Sequence, residues 1–164
     1  MPCLVMDSSV LASLSGAGAL EGLRDLFCPI FVPEGVRFEI VEKGSEWEEA
    51  EFAQQAIIEG HWLLTRRCRN RKKVEQLKNR LDLGESEVIA LAIEIGCLAA
   101  IDEKKGRKLA IQAGLRPIGS LGLLLLMKKA GIIPMVKTGI DLMLANGFRC
   151  SPDLISKILR EADE

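Results

Sequence analysis

The chain has 164 residues, 48% of them apolar and 27% charged, and a formal net charge of -1. That length suits a single domain with a sizeable core, and the balance is that of a globular protein. The near-zero charge excludes polyanion binding by bulk charge, and no apolar run reaches the roughly 18 residues needed to cross a bilayer.

In chain order, CLVM reads as a first short strand, and VLASLSGAGALEGLRDLF as two short helices broken around Gly16 and Gly18. PIFV is a second strand, followed by helices over 34–43 and 46–59. HWLL is a third strand. GESEVIALAIEIG places Val88, Leu91, Ala92 and Ile95 on one stripe and stops at Gly96. CLAAI is a fourth strand, KKGRKLAIQAG a helix ending at Gly114, and LRPI a fifth strand. Strand–helix alternation of this kind predicts an α/β fold with a mostly parallel sheet covered by helices. From about residue 120 to 164 the pattern becomes all-helical, with Ser151 and Pro152 forming a helix start. No linker separates this extension, so residues 1–164 are expected to form one domain.

Five cysteines are scattered without a CxxC pair, which predicts free thiols and neither a disulfide framework nor a zinc site. SLGLLLLM, the longest apolar run, meets Lys128 and Lys129, and no basic segment precedes the apolar start. A cytoplasmic protein without a membrane span or secretory signal is expected. The single histidine, His61, sits at the start of a predicted strand and is read as structural. Any chemistry therefore falls to carboxylates.

Ligands of an open parallel sheet bind beyond the carboxyl ends of its strands. Asp7 ends the first strand, and Asp102 with Glu103 ends CLAAI. Glu85 opens the helix before CLAAI, and Glu39 lies in the helix after PIFVP. Acids from four segments make a plausible oxygen-ligand set for a hard divalent ion. Each also has a plainer role: Asp7 as a helix cap, Glu85 and Glu87 at the positive end of a helix, Asp102 and Glu103 in a turn, Glu39 on a solvated face. Charge along the chain is uneven. Thr65 to Arg80 carries eight Lys or Arg against one Glu, either a nucleic-acid surface or a solvated helix face.

Taken together these segments carry a resemblance. VMDSSVLASL resembles the opening motif of PIN domains, FVPEGVRFEI their second, and GESEVIALAIEIGCLAAIDEKKGRKLA their third and fourth. The run LGESEVIALA…IDEKKGR…AGLRPIGSLGLLLLMKKAGII, with its tail from Gly147 to Glu164, is similar to a VapC-like subgroup of prokaryotic PIN-domain proteins. The resemblance implies a three-layer α/β/α fold with about five parallel strands and an acidic cluster binding Mg²⁺ or Mn²⁺. It implies endoribonuclease activity, with a toxin–antitoxin pair and a homodimer as common arrangements, and no organic cofactor.

On this sequence the first acid falls on Asp7, the second on Glu39, the third on Glu85 with Glu87 in reserve, and the fourth on Asp102 or Glu103. Asp7, Glu39, Glu85 and Asp102 are the expected metal ligands, with Asp102 or Glu103 serving the attacking water. RNA is expected along Arg66, Arg67, Arg69, Arg71, Lys72 and Lys73, with Arg107 facing the site. The pattern departs from the usual Thr-x-Asp at Ile101–Glu103 and has Glu for Asp at the third acid. Those departures leave open a catalytically weak or inactive PIN-like module that binds nucleic acid or protein.

Overall fold

The computed structural model describes residues 1–44 and 48–164. Strands β1 (Leu4–Met6), β2 (Ile30–Pro33), β3 (Leu63–Arg66) and β4 (Leu98–Ala100) form a parallel sheet of order β3-β2-β1-β4. Every residue of β1 and β2 is buried, as expected of parallel strands covered on both faces. Thr65 and Arg66 of the edge strand β3 are exposed.

Helix α1 (Ser8–Gly16) follows β1 and leads into a 3-10 turn over Leu20–Asp25. Helix α2 (Glu34–Arg37) begins directly on Pro33 and widens into a π-helical turn, Phe38–Glu42. Of the helix expected over 46–59, residues 46 and 47 lie outside the described residues. A 3-10 turn at Glu48–Ala50 then leads into α3 (Glu51–Glu59). The basic segment forms α4 (Arg71–Lys78), and α5 (Leu83–Ile95) ends on left-handed Gly96. After β4 come α6 (Lys104–Gln112), α7 (Ser120–Lys129), α8 (Val136–Ala145) and α9 (Pro152–Glu161).

Helix α5 packs on β1, β2 and β4 with α2 and α4 beside it, while α1, α3, α7 and α8 form a second helical group. The result is a three-layer α/β/α arrangement with the all-helical C-terminal third packed on α1. Because α5 is sandwiched between the sheet and other helices, burial extends beyond the stripe of Val88, Leu91, Ala92 and Ile95 to Ile89 and Ala90. The Ser151 hydroxyl accepts from the Leu154 amide at 3.2 Å and caps α9, with Pro152 in its first turn.

Two expectations are corrected. The fifth strand is reduced to one parallel bridge, Ala100 to Ile118, with Ile101 N donating to Ile118 O at 2.9 Å. Ser120, the next residue whose amide would face β4, donates instead to Asp102 Oδ1 at 2.7 Å and opens α7. Cys3 and Cys97 are joined in a disulfide, leaving Cys28, Cys68 and Cys150 free. The reason is register. Leu4 pairs with Leu98, so the residues just before them are also neighbours, with Cα atoms 5.0 Å apart.

Candidate active site

Strand order reverses direction between β1 and β4, and a crevice opens there beyond their carboxyl ends. Asp7 leaves β1 with its amide donating to Ala100 O of β4 at 3.1 Å. The residue is 4% exposed, and its side chain accepts from Ser8 N at 2.8 Å and Ser9 Oγ at 3.3 Å. Asp7 therefore caps α1 and lines the crevice at once. The cavity, about 470 Å³, is also lined by Ser8, Ser9, Ser13, Glu39, Asp82, Glu85, Asp102, Glu103, Phe148 and Arg149.

Each further acid is placed by a local feature. Glu39 rides on the π-helical turn, the kind of local widening that aims a side chain at a site. Ser8 Oγ donates to its Oε2 at 2.6 Å, tying the start of α1 to the turn after β2. Its Oε1 lies against Gly84, where any Cβ would collide with it. Asp82 is the N-cap of α5, accepting from Glu85 N at 2.8 Å. Glu85 follows in the first turn, its Oε1 only 3.2 Å from where a Cβ on Gly106 would stand. Glycines on α5 and α6 thus make room for the carboxylates of Glu39 and Glu85.

Crowding has an electrostatic consequence. Burial, helped by the charges of Glu85, Glu39 and Asp82 and opposed by the Ser8 amide, pushes the Asp7 carboxyl up to about 7. Burial also raises Glu39 and Glu85, and the Asp82 charge adds to both shifts. Glu103 adds to that of Glu85. Among the described residues, six carboxylates line the crevice against the one guanidinium of Arg149, a negative balance that a cation would relieve.

The other sequence-derived residues are placed differently. Glu87 is buried away from the crevice, accepting from Gly35 N at 2.6 Å and from Arg71 Nη1 at 2.9 Å. Asp102 reaches the crevice edge, yet both its oxygens accept from Ser120, one from the amide at 2.7 Å and one from the hydroxyl at 2.5 Å. It thereby fixes the first residue of α7, whose N-cap position, Gly119, makes no side-chain bond. Burial raises its carboxyl, against the Ser120 bonds and the Arg107 charge, which lower it. Glu103 is exposed at the crevice mouth.

Among the basic residues, Arg66 lies over the Phe31 ring at 5.1 Å, Arg67 stands 3.9 Å from Glu34, and Arg71 pairs with Glu87. Arg69 donates its backbone amide to Glu94 at 2.9 Å, and Lys72 and Lys73 lie on the first turn of α4. None of the residues from 66 to 73 lines the crevice. Arg107 donates to Ile101 O at 3.0 Å and faces the neighbouring trough.

Sequence reasoning missed Asp82, Ser8, Phe148 and Arg149. The spacing of Asp82 and Glu85 is that of a capping box, a signal that could have marked Asp82. Phe148 and Arg149 lie between α8 and α9 and meet the crevice only through tertiary packing, which no local pattern announces.

Among the described residues, no three Asp, Glu, His or Cys side chains stand close enough together to hold a metal ion as placed. In kind, the donors fit a hard divalent cation: all are carboxylate or hydroxyl oxygens, and their mutual repulsion favours a positive charge.

The parallel α/β/α sheet with an acid-lined crevice at its switch point defines an open α/β protein, a class whose ligands bind beyond the carboxyl ends of the strands. The family model described as PIN domain matches residues 3–164, and the chain belongs to the PIN-domain family. PIN domains are typically nucleases that use divalent metals. No curated protein and no solved structure matches the chain. Among the described residues, no helix is long and apolar enough to cross a membrane.

Proposed function

We propose that the protein is a metal-dependent endoribonuclease that hydrolyses RNA phosphodiester bonds, working with Mg²⁺ or Mn²⁺. The observation that carries this reading is the crevice lined by Asp7, Glu39, Asp82, Glu85, Asp102 and Glu103, in which burial and the neighbouring charges raise the Asp7 carboxyl. Such a cluster is costly without a cation and is placed at the sheet's switch point.

Asp7, Glu39 and Glu85 are the ion-holding residues in this reading, with Asp102 at the edge and Asp82 adding charge. When bound, the ion supplies charge neutralisation at the scissile phosphate and a lowered pKa for water. Ser8 and Ser9 hold Glu39 and Asp7 in orientation through their hydroxyls. Asp7, Glu39 and Glu85 would hold the ion through carboxylate oxygens, although the acids stand apart in the structure. Glu103, exposed at the mouth, is the carboxylate free to accept a proton from the attacking water, because both oxygens of Asp102 serve Ser120.

The same reading takes residues 1–164 as one cytoplasmic domain, a toxin held by a small antitoxin, acting as a homodimer. The test is cleavage of single-stranded RNA with Mg²⁺ or Mn²⁺, its loss in EDTA, and its loss in Asp7→Asn. A second reading, a non-catalytic module that binds nucleic acid, is favoured by the separation of the acids. A protein that binds RNA and never cleaves it in either ion would establish that second reading.

A further inference from the structure

Beside the acidic crevice lies a larger trough of about 890 Å³ between α6, α7 and α9, and the two share Asp102, Phe148 and Arg149. Its floor is apolar. Ile111 is 60% exposed and Leu154 41%, with Ile118 and Ile158 beneath them. Apolar side chains left open in one concavity mark a binding surface more strongly than the same residues scattered singly. The volume lies toward the upper end of small-molecule clefts, about 300–1,000 Å³. An unstacked base and its sugar fit such a space.

The rim is cationic. Lys104, Arg107 and Lys108 stand along α6, and Arg149 stands at the junction with the crevice. Among the described residues, Asp102, at that same junction, is the one carboxylate in the lining. Phe148, half-buried, lines both cavities. Apolar floor, aromatic face and basic rim are the three parts of a single-strand nucleic-acid groove: bases against apolar and aromatic surface, phosphates against Lys and Arg.

The segment from 66 to 73 is a poorer path. It follows β3, the edge of the sheet opposite β4, while the crevice opens at β1 and β4. Arg66, Arg67 and Arg71 are already engaged with Phe31, Glu34 and Glu87.

Resting on the nuclease reading above, we propose that the trough is the subsite for the single-stranded RNA flanking the cleaved bond. A base stacks on Phe148 at the junction, and the neighbouring phosphates lie on Arg149, Lys104 and Lys108. The chain next to that base then crosses into the acidic crevice. Recognition of this kind is tolerant of sequence, because every base offers a stacking face.

The test uses the full chain and a fluorescein-labelled single-stranded RNA decamer in EDTA, read by anisotropy across a salt series. Phe148→Ala should weaken binding about tenfold, within the range for loss of one stacked base. Lys104→Glu with Lys108→Glu should weaken it further and lower the salt slope by about 1–2. Lys137→Glu, the same charge change at an exposed position of α8, should do neither. Because Phe148 also packs on the core, Ile111→Glu, at an exposed floor position, is a second probe and should weaken binding without moving the unfolding midpoint.

RNA binding unchanged in folded Phe148→Ala and Ile111→Glu overturns the proposal, the result expected if a protein segment fills the trough. Binding lost only on reversing Arg66 and Lys72 overturns it as well. Cleavage in Mg²⁺ or Mn²⁺ by the unaltered chain separates the two readings. Trough-dependent binding without cleavage supports the subsite and removes the nuclease reading; cleavage that trough variants leave intact does the reverse.

Discussion

Glu85 and Glu87 stand two residues apart on α5 and point opposite ways, Glu85 into the crevice and Glu87 onto Arg71 and the amide of Gly35. About 100° of rotation per residue puts side chains two apart nearly on opposite faces of a helix. One helix thus supplies an acid to the candidate site and a second acid to the packing of α2 and α4.

The two substitutions should therefore differ in kind. Glu87→Ala strands a buried amide and breaks the pair with half-exposed Arg71, and should lower stability by about 1–3 kcal/mol in urea unfolding. Glu85→Gln should leave stability equal or higher, since it removes a repelled charge, while weakening Mn²⁺ binding measured by calorimetry.

The raised Asp7 carboxyl makes stability depend on pH. With an ordinary value of 3.8 and a folded value of about 7, the folded state holds the Asp7 proton where the unfolded chain has released it. Stability from this group is fully present below pH 3.8 and is lost as pH rises toward and through 7, by about 4 kcal/mol at most. Glu39, Glu85 and Asp102 are shifted in the same direction. In metal-free buffer the unfolding midpoint should fall between pH 5 and pH 8. Asp7→Asn should flatten that fall, and added Mg²⁺ should recover the loss at pH 8 in the unaltered chain only.

Gly84→Ala should act through Glu39. The added Cβ would collide with Glu39 Oε1, a contact the flexible arm escapes only by leaving its place. In a helix this exchange ordinarily stabilises by up to about 1 kcal/mol. A drop in divalent-ion affinity with circular dichroism unchanged would locate the effect in the carboxylate.

Asp102 and Asp7 should respond with opposite signs. Asp102→Ala leaves the buried Ser120 amide and hydroxyl without their partner and should cost about 1–2 kcal/mol, read as a lower thermal midpoint at pH 8. Asp7→Asn should raise that midpoint in the absence of metal.

Much of this arrangement is legible locally. Asp7 at the end of an apolar run, Gly96 after a helical stripe and the alternation of strands with helices all follow from short-range pattern. So does the α/β/α class. The Cys3–Cys97 disulfide is not legible, because it depends on the register of strands far apart in the chain. Glu85 and Glu87 are equivalent by composition and are separated only once the rotation of α5 is set by its packing on the sheet. Asp102 reads as a strand-end acid, yet its distance in sequence from Ser120 hides its role in fixing the start of α7. Phe148 and Arg149 reach the crevice because α8 and α9 fold back onto the body, a tertiary event without a local signature.

Whether the acids at the β1–β4 edge form a cation-dependent cleavage centre is decided by incubating the full chain with single-stranded RNA in Mn²⁺, in EDTA, and as Asp7→Asn. Cleavage in Mn²⁺ that EDTA abolishes, and that folded Asp7→Asn lacks, is the expected result. Cleavage that persists in EDTA, or in folded Asp7→Asn, overturns the metal-centre reading.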